Sequence, residues 1–105
     1  MVRISDDLLR KCTFTEDLGS VKELTLTNKE VEEVGGVVSL VGLSDLNLAF
    51  NRIRSVAPLA SLSGNLRYLN VMHNNVKSLK GLESLTQLRV LKVSNNAITT
   101  LEWRA

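Results

Sequence analysis

Apolar positions recur along this chain with a period of about 22 residues. Four copies of one short pattern begin at Val21, Leu43, Leu66 and Leu88. Each opens with three apolar residues spaced LxxLxL: Val21, Leu24, Leu26; Leu43, Leu46, Leu48; Leu66, Leu69, Val71; and Leu88, Leu91, Val93. The last two of each triplet are two residues apart, so they point to one side of an extended segment while their neighbours point to the other. This spacing predicts a short strand per copy, with one face in the core and one in solvent. Three copies then carry an Asn followed two residues later by a β-branched residue: Asn51 and Ile53, Asn74 and Val76, Asn96 and Ile98. A further apolar position lies three residues on, at Val34, Val56, Leu79 and Leu101.

A single unit of this size cannot bury its own leucines. Successive copies must stack, with equivalent strands side by side in a parallel sheet and each unit stabilising its neighbours. The Asn lies where the chain turns out of the strand. Its amide can donate to and accept from backbone groups of the turn, so a structural role outweighs a functional one for Asn51, Asn74 and Asn96. The first copy departs from the rule: Lys29 stands at the Asn position with Asn28 one place early, so the asparagine ladder is expected to begin with the second copy. Pro58, the one proline, suits the start of a short helical turn with Leu59 and Leu62 facing inward. Leu82 and Leu85 match it in the third copy. The stretch 35–40 of the first copy is expected to form a turn or a short strand, and an extra residue near 61–65 falls in the outer loop of the second.

The ends of a stack need covering, because a terminal unit exposes leucines and an unpaired strand edge. Ser5 is a plausible N-cap. Asp6 and Asp7 fall in the first turn, where they favour the helix dipole, and Ile4, Leu8 and Cys12 share one face with Leu9 beside them. Residues 5–12 are therefore expected to form an amphipathic capping helix, with Cys12 a small core residue. The division is then 1–20 as an N-terminal helical cap and 21–105 as four repeats, the last incomplete. At the other end Leu91, Val93, Ile98 and Leu101 would leave an apolar flank, and Trp103 is the residue bulky enough to cover part of it. The chain reads as a domain of a longer protein, the alternative being a flank that self-associates with a second copy.

The unit LxxLxLxxNxIxxLxxLxxLxx resembles the leucine-rich repeat, in its short cytosolic subclass typified by the protein phosphatase 1 regulatory subunit. The resemblance covers residues 21–101. It implies an α/β solenoid with a short parallel sheet on its concave face and loops and helical turns on its convex side. It also implies protein binding on the concave face. The opening ISDDLLRK is similar to the start of leucine-rich repeat proteins of cilia, basal bodies and centrosomes. That similarity implies a cytoplasmic scaffold associated with the cytoskeleton. The phosphatase regulator implies an alternative, a regulatory subunit of an enzyme, and a spliceosomal protein sharing this repeat type implies a ribonucleoprotein component.

Composition narrows the choice. The 105 residues are 44% hydrophobic and 23% charged with a net charge of +2, which fits one folded domain and excludes both disorder and polyanion binding on charge alone. No window approaches a membrane span of ~18 apolar residues, and Asp6, Asp7, Glu16 and Asp17 break up any signal peptide. The one cysteine excludes an intrachain disulfide framework and a CxxC metal site. His73 has no companion at ligand spacing, and no nucleophile elbow, phosphate loop or zinc motif is present. No enzyme, cofactor or metal is expected.

Candidate chemistry lies instead on the outward strand positions. These are Lys22, Glu23, Thr25 and Thr27; Ser44, Asp45, Asn47 and Ala49; Arg67, Tyr68, Asn70 and Met72; and Arg89, Val90, Lys92 and Ser94. The set is polarised, with Glu23 and Asp45 toward one end and Arg67, Arg89 and Lys92 around Tyr68 and Met72 toward the other. The whole chain follows the same trend. Residues 1–50 hold five Lys or Arg against nine Asp or Glu, and residues 51–105 hold eight against two. Tyr, Met and Arg are enriched at interface centres. The partner-binding set is therefore Lys22, Glu23, Asp45, Asn47, Arg67, Tyr68, Asn70, Met72, Arg89 and Lys92, and the partner an acidic or amphipathic protein segment, not nucleic acid and not a membrane. Glu30, Glu32 and Glu33 are read as a solvated outer edge, and Phe50 and His73 as packing residues at the strand ends.

Overall fold

The computed structural model describes residues 2–62 and 64–98. In chain order the elements are strand β1 (Val2–Arg3), helix α1 (Asp6–Thr13), strands β2 (Glu23–Thr25), β3 (Val31–Glu33), β4 (Asp45–Asn47), β5 (Tyr68–Asn70) and β6 (Val90–Lys92), with 3₁₀ turns at Leu18–Ser20, Gly35–Ser39, Ala57–Leu62 and Leu82–Ser84. Four of the strands form one parallel sheet in the order β2-β4-β5-β6. This is the stack of equivalent strands that the LxxLxL triplets require. Its register is strict: Leu24, Leu46, Leu69 and Leu91 fall in one row.

The inward residues of these rows make the core. Leu26, Leu43, Leu46, Leu48, Leu66, Leu69 and Val71 have no accessible surface, and burying each such side chain contributes ~1.5–3 kcal/mol. Val34, Val37, Val56, Leu59, Leu62, Leu79, Leu82 and Leu85 close the core from the convex side. Pro58 sits in the first turn of the 3₁₀ segment Ala57–Leu62, where its missing N–H is no loss. Ser55 and Ser78 prepare the equivalent turns, their Oγ atoms accepting from the N–H groups of Ala57 and Lys80. The stretch that could have been a turn or a strand, Gly35–Ser39, is a 3₁₀ turn.

The asparagines work as their position in the repeat requires. Asn51 Nδ2 donates to Leu26 O at 2.7 Å in the preceding copy and to Leu48 O at 2.8 Å in its own, while Oδ1 accepts from the N–H groups of Lys29 and Val31. Asn74 donates to Leu48 O and Val71 O and accepts from Ile53 N–H. Asn96 repeats this with Val71 O, Val93 O and Val76 N–H. Each amide ties its own turn to the turn before it. The first copy, with Lys29 in place of Asn, is held by the Asn of the second, so the ladder does begin there.

The N-terminus caps the stack, in two ways. Helix α1 is N-capped by Ser5, whose Oγ accepts from Leu8 N–H, and runs Asp6–Thr13, one residue later at each end than the 5–12 expected. Its buried centre is Leu9 rather than Leu8, which is half-buried, as is Cys12. Ile4 is buried although it precedes the helix. Ser39 Oγ donates to Asp6 Oδ1, tying the helix to the first convex turn. The second device was not foreseen. β1 pairs in parallel with β3, and Ile4 N–H donates to Glu33 O, extending a ladder that joins the outgoing segments from Val31 O through Ile53 O to Val76 O. Two residues are too few for a periodicity signal, and β3 carries Glu32 and Glu33 where a strand pattern would show apolar residues.

At the far end of the described stack Leu88, Leu91, Val93 and Ile98 are only half-buried, packed against the core from one side. Leu101 and Trp103, expected to border and cover this flank, lie outside the described residues.

Candidate functional site

The concave surface is built from rows of residues across the sheet. Glu23, Asp45, Tyr68 and Val90 are partners in one row, and Thr25, Asn47, Asn70 and Lys92 in the next. Alternation sends these side chains away from the leucines. At the strand entries Ser44, Arg67 and Arg89 continue the ladder through N–H bonds to Lys22 O, Ser44 O and Arg67 O respectively. The structure thus brings most of the sequence-selected residues onto one face, with Glu23, Asp45 and Tyr68 lining a shallow depression together with Thr25 and Asn47.

Three positions differ from the expectation. Lys22 turns its ammonium back beside Gly42, 3.0 Å from where a Cβ on that glycine would sit. Ala49 and Asn70, read as solvent-facing, are buried, Asn70 to 9% exposure. The cause is the turn that follows each strand: Asn70 Oδ1 accepts from Met72 N–H at 3.0 Å, and Asn47 Oδ1 accepts from Ala49 N–H at 3.1 Å. These two amides brace the chain as it leaves the sheet. Alternation alone does not reveal that a short polar side chain is occupied by its own backbone.

Electrostatics divide the face. Glu23 and Asp45 stand side by side on β2 and β4, and Arg67 and Arg89 at the entries of β5 and β6. Lys92 Nζ lies 5.7 Å from the centroid of the Tyr68 ring, within cation–π range. Among the described residues the ion pairs Arg3–Glu33, Arg10–Glu16 and Arg52–Glu30 lie off this face. Glu30 and Glu33 are exposed, as a solvated outer edge requires, and each also takes part in one of these surface pairs. Glu30 reaches an Arg on the neighbouring copy, and Glu33 an Arg on the capping strand.

A second feature borders the concave face. Asn28, Phe50, His73 and Asn95 occupy the same place in successive copies, and all four have positive φ, between 55° and 60°. Asn tolerates this conformation; Phe and His do so at a cost of order 1 kcal/mol. The Phe50 and His73 rings stack at 4.2 Å between centroids with 9° between planes. His73 Nε2 is 3.2 Å from Asn95 Nδ2. Phe50 remains 51% exposed, so it packs on a neighbour's ring rather than into the core. The signal for this column was in the sequence: Asn at two of four equivalent positions marks a left-handed turn. Among the described residues no group of His, Cys, Asp and Glu is placed to hold a metal ion, and no helix is long and apolar enough to cross a membrane.

Comparison with known proteins follows the same lines. A family described as Leucine Rich repeats (2 copies) matches residues 64–105. The chain is 33% identical over 92 residues to an acidic leucine-rich nuclear phosphoprotein 32 family member A of Drosophila pseudoobscura, covering 85% of this chain and 35% of that protein. It is 32% identical over 99 residues to a protein phosphatase 1 regulatory inhibitor subunit PPP1R7 homolog of Arabidopsis thaliana, covering 94% of this chain and 30% of that protein. The chain therefore spans about a third of the length of these relatives. Among solved structures, internalin C2 of Listeria monocytogenes superposes with a TM-score of 0.73 at 36% identity, over 77% of this chain and 35% of that one. Repeat unit, asparagine ladder, parallel concave sheet and relatives agree: the chain is a leucine-rich repeat protein, folded as a leucine-rich repeat solenoid.

Proposed function

We propose that this chain is a non-catalytic protein-binding module that docks a segment of a partner protein on its concave face. The observation that carries the proposal is the face itself: a parallel sheet with Tyr68, Val90 and Lys92 in its outward rows, the exposed Arg67 and Arg89 at the entries of β5 and β6, and Met72 just past the end of β5. An aromatic and apolar centre rimmed by cations is the make-up of an interface rather than of ordinary surface. Glu23, Asp45 and Asn47 extend it toward the first repeat, and Asn70 braces the turn that leads to Met72. The double variant Arg67→Glu with Arg89→Glu is expected to lose capture of its partners from cell extract while keeping the melting temperature of the parent. Undiminished capture of the same proteins would overturn the concave-face assignment.

One relative favours a narrower reading. The phosphatase 1 regulatory inhibitor subunit homolog aligns with 94% of this chain, so regulation of a phosphatase-type enzyme is a second role for the same surface. Phosphatase activity copurifying with the tagged protein, and lost with the Arg67 and Arg89 variants, would decide for it. A cytoplasmic scaffold of the cytoskeleton, as the opening ISDDLLRK implied, is a third setting for the module. The structure gives that segment a capping task through Ile4, Ser5 and Leu9, which accounts for its residues without reference to location. Microscopy of the tagged protein with a basal-body marker tests the setting independently of the binding surface.

A further inference from the structure

We infer that the segment docked on the concave face is dipolar: a cationic group sits over β2 and β4, and an anionic group over β5 and β6. The inference rests on the concave-face reading and adds the partner's chemistry and orientation. It comes from like charges that the fold holds together. Glu23 and Asp45 are register partners on adjacent strands, and like charges facing each other across a strand pair are destabilising. Lys22, the nearest cation in sequence, directs its ammonium to Gly42, and the ion pairs of the described residues lie elsewhere. At the other end Arg67 and Arg89 are exposed residues at neighbouring strand entries, joined by the bond from Arg89 N–H to Arg67 O at 2.8 Å. Lys92 adds a third cation over the Tyr68 ring.

An external carboxylate answers only half of this arrangement, whereas a segment with opposite charges at its two ends relieves both repulsions at once. Its spacing follows from the sheet. The midpoint of β2 and β4 lies two strand spacings, about 10 Å, from the midpoint of β5 and β6, which an extended chain spans in about three residues. Tyr68, on β5, follows Asp45 in the row of the carboxylates, so an apolar residue between the partner's charges reaches its ring. The segment runs across the strands, along the stack, with its basic end toward the N-terminal cap.

The test uses three fluorescein-labelled peptides with identical Gly and Ser flanks. Their cores read Lys, Lys, Leu, Glu, Glu; the same with both Lys replaced by Gln; and the same with both Glu replaced by Gln. Anisotropy titrations at low salt are expected to show the dipolar peptide binding at least tenfold tighter than either control. Glu23→Gln with Asp45→Asn is expected to erase its advantage over the Lys-free peptide without weakening that peptide, and Arg67→Gln with Arg89→Gln its advantage over the Glu-free one. If the Lys-free peptide binds as tightly as the dipolar one and both are lost with the Arg variants, the dipolar inference fails and the concave-face reading stands. If no peptide binds, or binding ignores both pairs of substitutions, both fail. Unchanged thermal melts of these exposed-site variants establish that the fold is intact.

Discussion

At the scale of single residues, the side chains that decide most are amides rather than leucines. Asn74 satisfies two carbonyls and one N–H, all buried, belonging to two copies. Asn74→Leu fills the space but leaves these groups unpaired, at ~1–3 kcal/mol for each orphaned group. Urea unfolding of that variant is expected to show a loss of about 3 kcal/mol or more. Asn96 makes the same bonds but is half-exposed, so water replaces part of what Asn96→Leu removes, and the loss should be smaller by about half. Equal losses would contradict the ladder as described. Phe50 presents the opposite balance. Phe50→Asn relieves left-handed strain worth of order 1 kcal/mol and forfeits an aromatic stack worth ~0.5–1.5 kcal/mol. The two nearly cancel, and the variant is expected within about 1 kcal/mol of the parent in the same assay.

Elements in this fold are short, and what holds them is contact with the next copy rather than internal cooperativity. The four sheet strands were legible in the LxxLxL triplets because each leucine pair alternates over a buried face, and α1 because Ser5, the aspartates and an apolar face coincide. β1 was not legible: its partner β3 lies far along the chain, and pairing between Val2 and Val31 leaves no local trace. On the concave face the rows that hold Glu23, Asp45, Tyr68 and Lys92 were readable from alternation. The bracing of Asn47 and Asn70 and the retreat of Lys22 depend on turn geometry that a linear pattern does not carry. Gly36 reports on the cap. A Cβ there would lie 1.8 Å from Ile4 O, whereas Gly35 has open space. Gly36→Ala is expected to loosen the join between β1, α1 and the first convex turn, costing ~1–3 kcal/mol as overpacking does and raising amide hydrogen exchange at Val2–Thr13. Gly35→Ala, one residue earlier, should leave exchange in that segment unchanged.

For the whole molecule, stability is a sum along one axis, each copy contributing its own term and its contacts with two neighbours. Leu46 lies in the middle of the stack with no accessible surface; Leu91, in the same row, is half-buried. Leu46→Ala is expected to cost ~2–5 kcal/mol, as full truncation in a core does. Leu91→Ala should cost clearly less, since its cavity opens toward a flank. Chemical denaturation of both variants checks this, and similar losses would mean that the far end of the stack is as firmly packed as its centre. Charge follows the same axis, from an excess of carboxylates in residues 1–50 to an excess of cations in 51–105. A partner approaching in solution is turned by this field before it touches the surface. The effect should fade as added salt shortens the ~10 Å screening length at 0.1 M.

The asparagine bonds have a consequence for how such a chain can change length. From the second copy on, each copy offers an amide to the turn behind it, and each of the first three presents a turn to the amide ahead, so the joints between copies are built alike. A duplicated copy spliced into the middle finds plug and socket already cut on both sides. The binding surface can therefore be lengthened in increments of one strand, about 4.8 Å, with the old joints left as they were. Gene duplication is then a ruler for partner size. The parts that resist copying are the ones that occur once, the capping strand and helix and the clustered charges that give the face its two ends.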